Sequence, residues 1–571
     1  MNEKPGLGER IKHAIGVKGD FKTAIVPMIN YSYANMFMGG AGYIISMYFT
    51  IFLTDVVNIS LKSASLVVMF ATLWDAVTDP AMGIITDRTR SKTGKHRRYL
   101  LWGIPVLMLS YGLLWNSYGL NGNTSPAMAM LYYTLVYMLY KTAYTIIAVP
   151  HTAMLPELAP DYDLRTQYNS VGYLFNSAGM VPSFLFAVAI LMAFGSNNNI
   201  TSASRPPFLV IGLVLAVFYG GAVFLTYSKT REPSSLNNEL PPFDFRHLVN
   251  EYVLVFKNKA FRQYFFMSLA YMFATGFYGT TKVYYIKYLA NQYGSYALFN
   301  AVAGVAEASA FPLNYALTMK YGKKRCGNIV TPLMVAGLAI GLLMQTSTGG
   351  SGLRFLWLAL MMLSMILYPF GMSGLGFVST NIFPDLTDVD ELITGRRREG
   401  VIATFSTLIK KSISGVMAAL VGFILQGFGL VTGDTVAQYE KETGQLYGQT
   451  SHAVFGIRLC VAIIPIVAAL ISLFLLRRFQ MTKADHAMIR AAIATKHKYG
   501  SVTLTSEQIA RCEAVSGQKY ETTWLGAGND GDHPLETDEN GDFTILAEAD
   551  ALAAQYAAQT KAAPEDAAAK Q

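Results

Sequence analysis

The sequence predicts an all-α membrane protein with twelve transmembrane helices in two halves of six. Only 14% of the 571 residues are charged and 52% are hydrophobic, whereas soluble domains carry about 25% charged residues. The mean hydropathy is +0.32. Apolar stretches of about twenty residues, the length that crosses a bilayer, alternate with short polar connectors. The composition therefore excludes a soluble globular domain.

Twelve apolar stretches follow one another along the chain. Their predicted bounds are 25–53, 60–86, 98–119, 127–153, 168–194, 208–228, 262–288, 296–318, 327–347, 354–383, 400–429 and 453–476. A longer polar connector with proline-rich linker composition divides them six and six. The predicted organisation is an N-terminus (1–24), a first half (25–229), a linker (230–260), a second half (261–476) and a tail (477–571).

The polar segments outside the halves have distinct compositions. Residues 245–256 of the linker predict an amphipathic helix along the inner membrane surface. In the tail, residues 482–493 predict a basic helix, and residues 547–571, rich in Ala, Glu and Lys, predict disorder. We expect the tail to have no catalytic role.

Basic residues concentrate in alternate connectors. Residues 87–98, 320–325 and 396–398 are strongly basic, whereas 195–207 and 432–451 hold few basic residues. By the positive-inside rule, both termini are predicted to be cytoplasmic, in the inner (plasma) membrane. This topology also explains the net charge of +8, so the charge does not indicate nucleic acid as a partner. The expected partners are the lipid bilayer and a small-molecule substrate, and we expect a monomer.

Two aspartates, Asp75 and Asp79, lie one helical turn apart inside the second apolar stretch. A carboxylate at the centre of a transmembrane helix costs about 2.5–3.5 kcal/mol on insertion scales, so such residues are usually functional. The i, i+4 spacing directs both side chains to the same neighbour or cavity. We interpret the pair as a cation or metal-ion site. The alternative is a structural ion pair.

Three motifs resemble the glycoside-pentoside-hexuronide:cation symporters, a family of the major facilitator superfamily. The first runs from Trp74 to Gly83 and on through residues 87–95. The second runs from 385 through 391, then from Arg398 to Lys411. The third is Tyr144-Thr145, followed by Pro150. The resemblance covers residues 25–476 and leaves the tail outside.

The resemblance implies a major facilitator fold and a symporter coupled to Na+, Li+ or H+, with no other cofactor. It implies that Asp75 and Asp79 bind the cation, that Thr145 adds an oxygen, and that Lys411 reaches the same region. Thr78 stands where the family has an asparagine, so the choice between Na+ and H+ stays open. The alternative is that Asp79 pairs with Lys411 only to hold the halves together.

The sugar-binding residues of the family are not kept. Its two aspartates, arginine and two tryptophans align with Gly39, Ala148, Tyr173, Thr152 and Gly376. In their place, Lys141 lies one turn from Thr145 and could bind an anionic group such as a uronate, a sulfonate or a phosphate. The further candidates for the substrate site are Tyr43, Tyr140, Tyr144, His151, Lys282, Glu307 and Thr407.

Each candidate also has a plainer interpretation. Lys282 can extend to the outer membrane interface, Glu307 can pair with a basic residue, and His151 can be a packing residue. Lys141 can place its ammonium beside Asp75 and compete there with a metal ion, which would favour H+ coupling.

A conformational gate is predicted on the basic side. It comprises Asp87 and Arg88 after the second stretch, with Asp385, Asp388 and Arg397 as partners. The alternative is that these basic residues only fix topology.

The sequence favours a cation-coupled symporter for a sugar or glycoside. An anionic sugar such as a uronide or sulfosugar is the sharper form of this hypothesis, and a lysolipid-like amphiphilic anion is the alternative. An enzyme is not expected, because the sequence has no His-Glu-x-x-His motif.

Overall fold

The computed structural model is helical throughout the residues that it describes. These are residues 21–159, 162–194, 200–232, 253–289, 296–343, 351–443, 447–529, 531–537 and 543–545. Among them, β structure is limited to two isolated bridges in the tail. The all-α prediction is confirmed for the described chain. The predictions for residues 245–252 of the linker, for the start of the N-terminus and for residues 547–571 lie outside it.

The first six long helices follow the predicted stretches closely. They are α1 (Phe21–Ile44), α2 (Leu61–Asp87), α3 (Arg97–Leu114), α4 (Pro126–Leu158), α5 (Tyr162–Ala193) and α6 (Arg205–Lys229). Two π-helical turns, Ile45–Phe49 and Phe52–Val56, extend α1. Such π turns are frequent at functional sites.

The later long helices again match the apolar stretches, and one short polar helix forms in the predicted connector 432–451. They are α7 (Lys259–Tyr284), α8 (Tyr296–Tyr321), α9 (Lys323–Leu343), α10 (Ser351–Thr394), α11 (Glu399–Gly427), a short α12 (Asp434–Thr443) and α13 (Ser451–Arg478). The π turn Tyr285–Leu289 extends α7. Two tail helices follow, α14 (Lys483–Tyr499) and α15 (Ser506–Ser516).

Within the described chain, seven helices are long and apolar enough to cross a membrane. They belong to α2, α5, α6, α9, α10, α11 and α13. The chain is therefore a multi-pass membrane protein. The predicted total of twelve crossings stays a prediction.

Helices α1–α6 pack mainly on one another, and α7–α11 pack with α13. We call these the first and second groups. The two groups contact each other mainly where α2 of the first group packs against α11 of the second. A Cβ atom on Gly422 would lie 1.9 Å from the Ser65 hydroxyl oxygen, and one on Gly415 would lie 3.0 Å from Cβ of Thr72. Small residues let membrane helices approach this closely, and the approach sets α2 and its aspartates against α11.

The first part of the tail is folded. Helix α14 begins with a capping box between Thr482 and Asp485 and ends at Gly500, whose φ of 81° suits glycine. The segment after α15 returns to the end of α10, where the backbone N–H of Trp524 donates to the carbonyl of Ile393 at 3.0 Å. The predicted basic helix thus exists, and it is attached to the second group.

Candidate functional site

A cavity of about 610 Å³ lies between the two groups. Helices α1, α2 and α4 line it from one side, and α7, α8 and α11 line it from the other. Its wall combines predicted site residues with others that the sequence analysis did not single out. The polar and aromatic side chains there include Tyr43, Asp75, Tyr137, Tyr140, Lys141, Tyr144, Lys282, Asn300, Lys411 and Ser414.

The aspartate pair meets Lys411 at the edge of this cavity. The Lys411 ammonium lies 3.0 Å from Oδ2 of Asp75 and also forms an ion pair with Asp79. Asp75 is only 2% exposed. A buried carboxylate needs such a partner, because desolvation of an unpaired charge costs several kcal/mol. The predicted meeting of Asp75, Asp79 and Lys411 is therefore present, and it joins α2 of the first group to α11 of the second.

Thr145 on α4 completes this arrangement. Its hydroxyl oxygen lies 2.8 Å from Oδ1 of Asp79 and 3.3 Å from Oδ1 of Asp75. One hydroxyl proton serves one carboxylate at a time, so Thr145 can move its hydrogen bond from one aspartate to the other. Thr78 lies at the edge of this cluster, and its hydroxyl donates to the backbone carbonyl of Asp75 at 3.3 Å.

A second ammonium reaches Asp75. Lys141 Nζ lies 3.5 Å from Oδ2 of Asp75 and 5.7 Å from the ring centre of Tyr137. Two carboxylates and two ammonium groups therefore share one small region, and their formal charges cancel. This placement matches the alternative in which Lys141 forms an internal pair.

The tyrosines form an aromatic wall. Tyr43, Tyr140 and Tyr144 line the cavity as predicted for a substrate site, and Tyr137 joins them. Tyr137 and Tyr140 stack with ring centres 6.0 Å apart. Tyr137 stands three residues before Tyr140 on α4, and this helical spacing was a signal for its position.

Lys282 faces the cavity from the second group. Its ammonium donates a 2.6 Å hydrogen bond to Oδ1 of Asn300 on α8. Lys282 thus lines the cavity, as expected of a substrate residue, and its extension to the outer membrane interface stays an untested alternative. Asn300 was missed, since a lone asparagine at a helix start gives no signal in the sequence.

Three other predicted substrate residues lie outside the cavity wall. His151 is fully buried, stacks on Tyr31 at 4.2 Å between ring centres and contacts the Tyr31 carbonyl at 2.9 Å. Glu307 is exposed, and Thr407 donates to its own helix at the Ala403 carbonyl. The structure does not bring these three residues to the tyrosines and Lys141.

The predicted gate residues occupy the basic end of the bundle. Asp385 pairs with Lys323 at 2.5 Å. Asp388 lies 2.7 Å from Nε2 of the tail residue His486 and 3.8 Å from a guanidinium nitrogen of Arg397. Asp87 and Arg88 are exposed at the end of α2. The carboxylates of the second group thus have partners in α9, in the 395–398 turn and in the tail.

A further polar cluster fastens the start of the linker. The Glu232 carboxylate accepts hydrogen bonds from the backbone N–H groups of His96 and Arg97, at 2.9 Å and 2.8 Å. It therefore caps the N-terminus of α3, the position at which a carboxylate is most favourable. Glu157 completes the cluster through Lys95, at 3.1 Å. The sequence analysis did not single out these residues.

A bundle of apolar, membrane-crossing helices around a polar cavity defines a membrane transporter. A family model described as MFS/sugar transport protein matches residues 30–483. The chain belongs to this family, within its glycoside-pentoside-hexuronide branch, and it is a transporter and not an enzyme.

Known relatives and structures agree with this assignment. The isoprimeverose transporter of Lactiplantibacillus pentosus is 24% identical over 80% of this chain and 88% of its own. The glucuronide carrier protein homolog of Escherichia coli (strain K12) is 21% identical over 81% of this chain and 93% of its own. A bacterial homologue of the iron transporter ferroportin, solved in an inward-facing state, has a TM-score of 0.53 at 11% identity, covering 81% of this chain and 99% of that chain. The last likeness shows the fold alone.

Proposed function

We propose that this protein is a proton-coupled symporter for an anionic sugar or glycoside and that it works by alternating access. The observation that carries the proposal is the cluster of Asp75, Asp79, Lys141 and Lys411 beside the cavity between the two groups. In this proposal, twelve helices cross the plasma membrane in two halves of six. Both termini are cytoplasmic, on the side of the basic connectors.

The two ammonium groups favour a proton over Na+ as the coupling ion. A Na+ ion needs several oxygen ligands, and here it would have to displace ammonium groups from the carboxylates. Charges 4 Å apart interact by about 4 kcal/mol at an effective dielectric constant of 20, so displacement is costly. A proton can instead neutralise one carboxylate and release its ammonium partner.

The coupling step follows from the position of Lys411. This residue is on α11, whereas both aspartates are on α2. Protonation of Asp79 would remove one of the charges that hold α11 against α2. Thr145 would then donate its hydrogen bond to Asp75, which stays ionised. In this proposal, the protonation of Asp79 determines whether α2 of the first group and α11 of the second stay in contact.

The cavity wall supports a sugar as the substrate. The partly exposed rings of Tyr43 and Tyr144 can stack on the apolar face of a pyranose ring, while Lys282 and Asn300 can hold polar groups across the cavity. The hydrogen-bond partner of the Lys282 ammonium is the neutral side-chain amide of Asn300. An anionic group on the sugar could take the place of this amide and form a stronger hydrogen bond with the ammonium, because both partners would then be charged. The printed names of the relatives describe carriers of isoprimeverose and of a glucuronide, which agrees with this class.

A lysolipid-like anion is less well supported. Its acyl chain would need an extended apolar groove, whereas the polar lining of this cavity includes four tyrosines and three lysines. The test below includes such a ligand, so the two substrate classes are compared directly.

Uptake by the purified protein in proteoliposomes tests the proposal. Neutral glycosides, uronides, sulfosugars and a lysolipid would each be offered under a pH gradient without Na+, and then under a Na+ gradient at equal pH. We expect uptake of a uronide or sulfosugar driven by the pH gradient and abolished in Asp79→Asn. Glu442→Gln, which alters an exposed carboxylate on α12 away from the cavity, is the control and should transport normally. Uptake that requires Na+ would contradict proton coupling, and uptake of neutral glycosides alone would contradict the anionic substrate.

A further inference from the structure

A second cavity, of about 770 Å³, lies at the basic end of the bundle. The turn between α8 and α9, the last part of α10 and the junction between α13 and α14 form its walls. Its basic side chains are Lys320, Lys323, Lys324, Arg325, Lys483 and His486. We call it the basic cavity. It is separate from the aspartate cluster and lies where the tail meets the second group.

The charges around this cavity are unbalanced. Asp385 is the one carboxylate among the described residues that line it, and its oxygens already contact Lys323 at 2.5 Å and His486 at 3.9 Å. Within the described chain, Lys324 and Lys483 have no salt bridge. Asp485 of α14 also acts on Lys324, but its carboxylate is paired with Arg511. Basic side chains therefore outnumber carboxylates at this cavity, and an anion between them would be bound favourably.

One helix N-terminus adds to this positive potential. Helix α9 begins at Lys323, directly after Gly322, and its first turn holds no acidic residue. Helix α14 also begins at the cavity wall, at Lys483, but its first turn already holds the capping carboxylate of Asp485. The macrodipole makes cations unfavourable in a first turn and anions favourable there. Asp385 already offsets the charge of Lys323, whereas Lys324 and Arg325 in the same turn stand where a further anion would stabilise the helix.

Topology alone does not account for this convergence. The positive-inside rule explains why the 320–325 connector is basic, but it does not explain why Lys483 and His486 of the tail face the same space. The floor of the cavity is apolar and buried, with Ile382 at 1% exposure, Phe479 at 3% and Met481 at 6%. A cavity with basic side chains at its rim and apolar side chains at its floor suits an anionic group that is attached to a larger molecule.

We propose that the basic cavity binds a phosphate group, carried either by a lipid headgroup or by a soluble phosphate compound. The side chains of Lys320, Lys324, Arg325 and Lys483 surround the phosphate, and the N-terminus of α9 faces it. A bound phosphate links the tail to the turn between α8 and α9. This proposal does not depend on the proposed substrate or coupling ion.

The test uses the full-length protein and one double variant, Lys324→Gln/Lys483→Gln. In the soluble arm, inorganic phosphate is titrated in detergent and the melting temperature is measured. In the lipid arm, the protein in mixed micelles is offered phosphatidic acid or phosphatidylcholine, and retained lipid is counted by native mass spectrometry. We expect saturable binding in at least one arm, weakened by at least about tenfold in the variant, since it loses two charge-assisted contacts.

Two further variants make the result decisive. Arg90→Gln/Lys92→Gln removes the same charge from an exposed basic connector outside the cavity and should bind as the wild type does. Lys320→Gln/Arg325→Gln changes exposed rim residues, so it should keep the fold while it weakens binding. Binding in the phosphatidic acid arm alone identifies a lipid, and binding in the phosphate arm identifies a soluble ligand. No binding in either arm, or equal loss in the Arg90 and Lys92 variant, would overturn the proposal.

Discussion

Lys287 donates a 2.6 Å hydrogen bond to the carboxylate of Asp55, and this contact joins the end of α1 to the end of α7. Both residues lie in π turns, and Asp55 is only 3% exposed. The Thr54 hydroxyl lies 2.9 Å from the other carboxylate oxygen. Helix α2 begins near this pair and ends at the basic connector, so the bridge lies at the opposite, outer end in the proposed topology. It holds the two groups together on that side.

Removal of this bridge is expected to favour the outward-open state. Asp55→Asn loses a charge-assisted hydrogen bond worth on the order of 2 kcal/mol, which corresponds to a roughly 30-fold shift in the equilibrium. The probe is Ser46→Cys in the cavity wall, labelled with a membrane-impermeant maleimide from outside. The native cysteines are buried and give little background.

The labelling control is Glu442→Gln, which removes an exposed carboxylate on α12 at the same end. It should leave the labelling rate of Ser46→Cys unchanged. An unchanged rate in Asp55→Asn as well would show that the bridge does not hold the outer side closed.

Lys141→Met is expected to change the ion preference. This variant removes one of the two ammonium groups at Asp75, so the site gains a net negative charge and attracts a metal ion. We expect Na+ to stimulate uptake in the variant and to have no effect in the wild type, as measured in proteoliposomes at equal pH on both sides. Lys410→Met, next to Lys411 but hydrogen-bonded to Tyr264 at 3.1 Å, should behave as the wild type. Wild-type uptake already stimulated by Na+ would refute the assignment of Lys141.

Lys282→Met is expected to separate anionic from neutral ligands. The methionine keeps the approximate volume but removes the ammonium that faces Asn300. Affinity for an anionic glycoside should fall by roughly tenfold or more, since a hydrogen bond to a charged group contributes about 1.5–3 kcal/mol. Affinity for a neutral analogue should stay within about twofold in the same thermal-shift titration. Equal weakening of both ligands would indicate a structural role for Lys282.

The attachment of the tail is expected to weaken in acid. Burial opposes ionisation of Asp485, but hydrogen bonds from Arg511 and Thr482 outweigh it and lower the pKa of that carboxyl group. Because the folded pKa lies below the unfolded value of about 3.9, the stabilisation is present above that pH and is lost as the pH falls through the folded pKa.

Hydrogen exchange of the α14 amides measures this effect. Arg511→Ala should lower the protection of these amides, relative to their intrinsic exchange rates, at pH 6 and reduce the difference in protection between pH 6 and pH 3. Lys519→Ala, at an exposed tail position, serves as the control for charge removal. Identical exchange in wild type and Arg511→Ala at pH 6 would show that the Asp485–Arg511 pair does not stabilise α14.

The aspartate cluster could be predicted in part because its members carry local signals. Asp75 and Asp79 are conspicuous in an apolar helix, and Lys411 follows a motif that resembles the family. By contrast, Asn300 carries no local signal, and its place in the cavity depends on how α8 is rotated. Tyr137 offered only its helical spacing from Tyr140 as a signal. The same limitation explains why His151 and Glu307 were candidates although neither lines the cavity.

The sequence by itself determined the class of protein, the helices and the charged residues whose costly position inside an apolar helix indicates a function. It could do so because hydrophobicity and charge act on each segment separately. The tertiary structure decided which charges meet. The pairs Lys141–Asp75, Lys287–Asp55 and His486–Asp388 each join segments far apart in the chain. Their pairing depends on helix rotation and on close approach at glycines such as Gly415 and Gly422, and no periodicity within a single helix encodes either one.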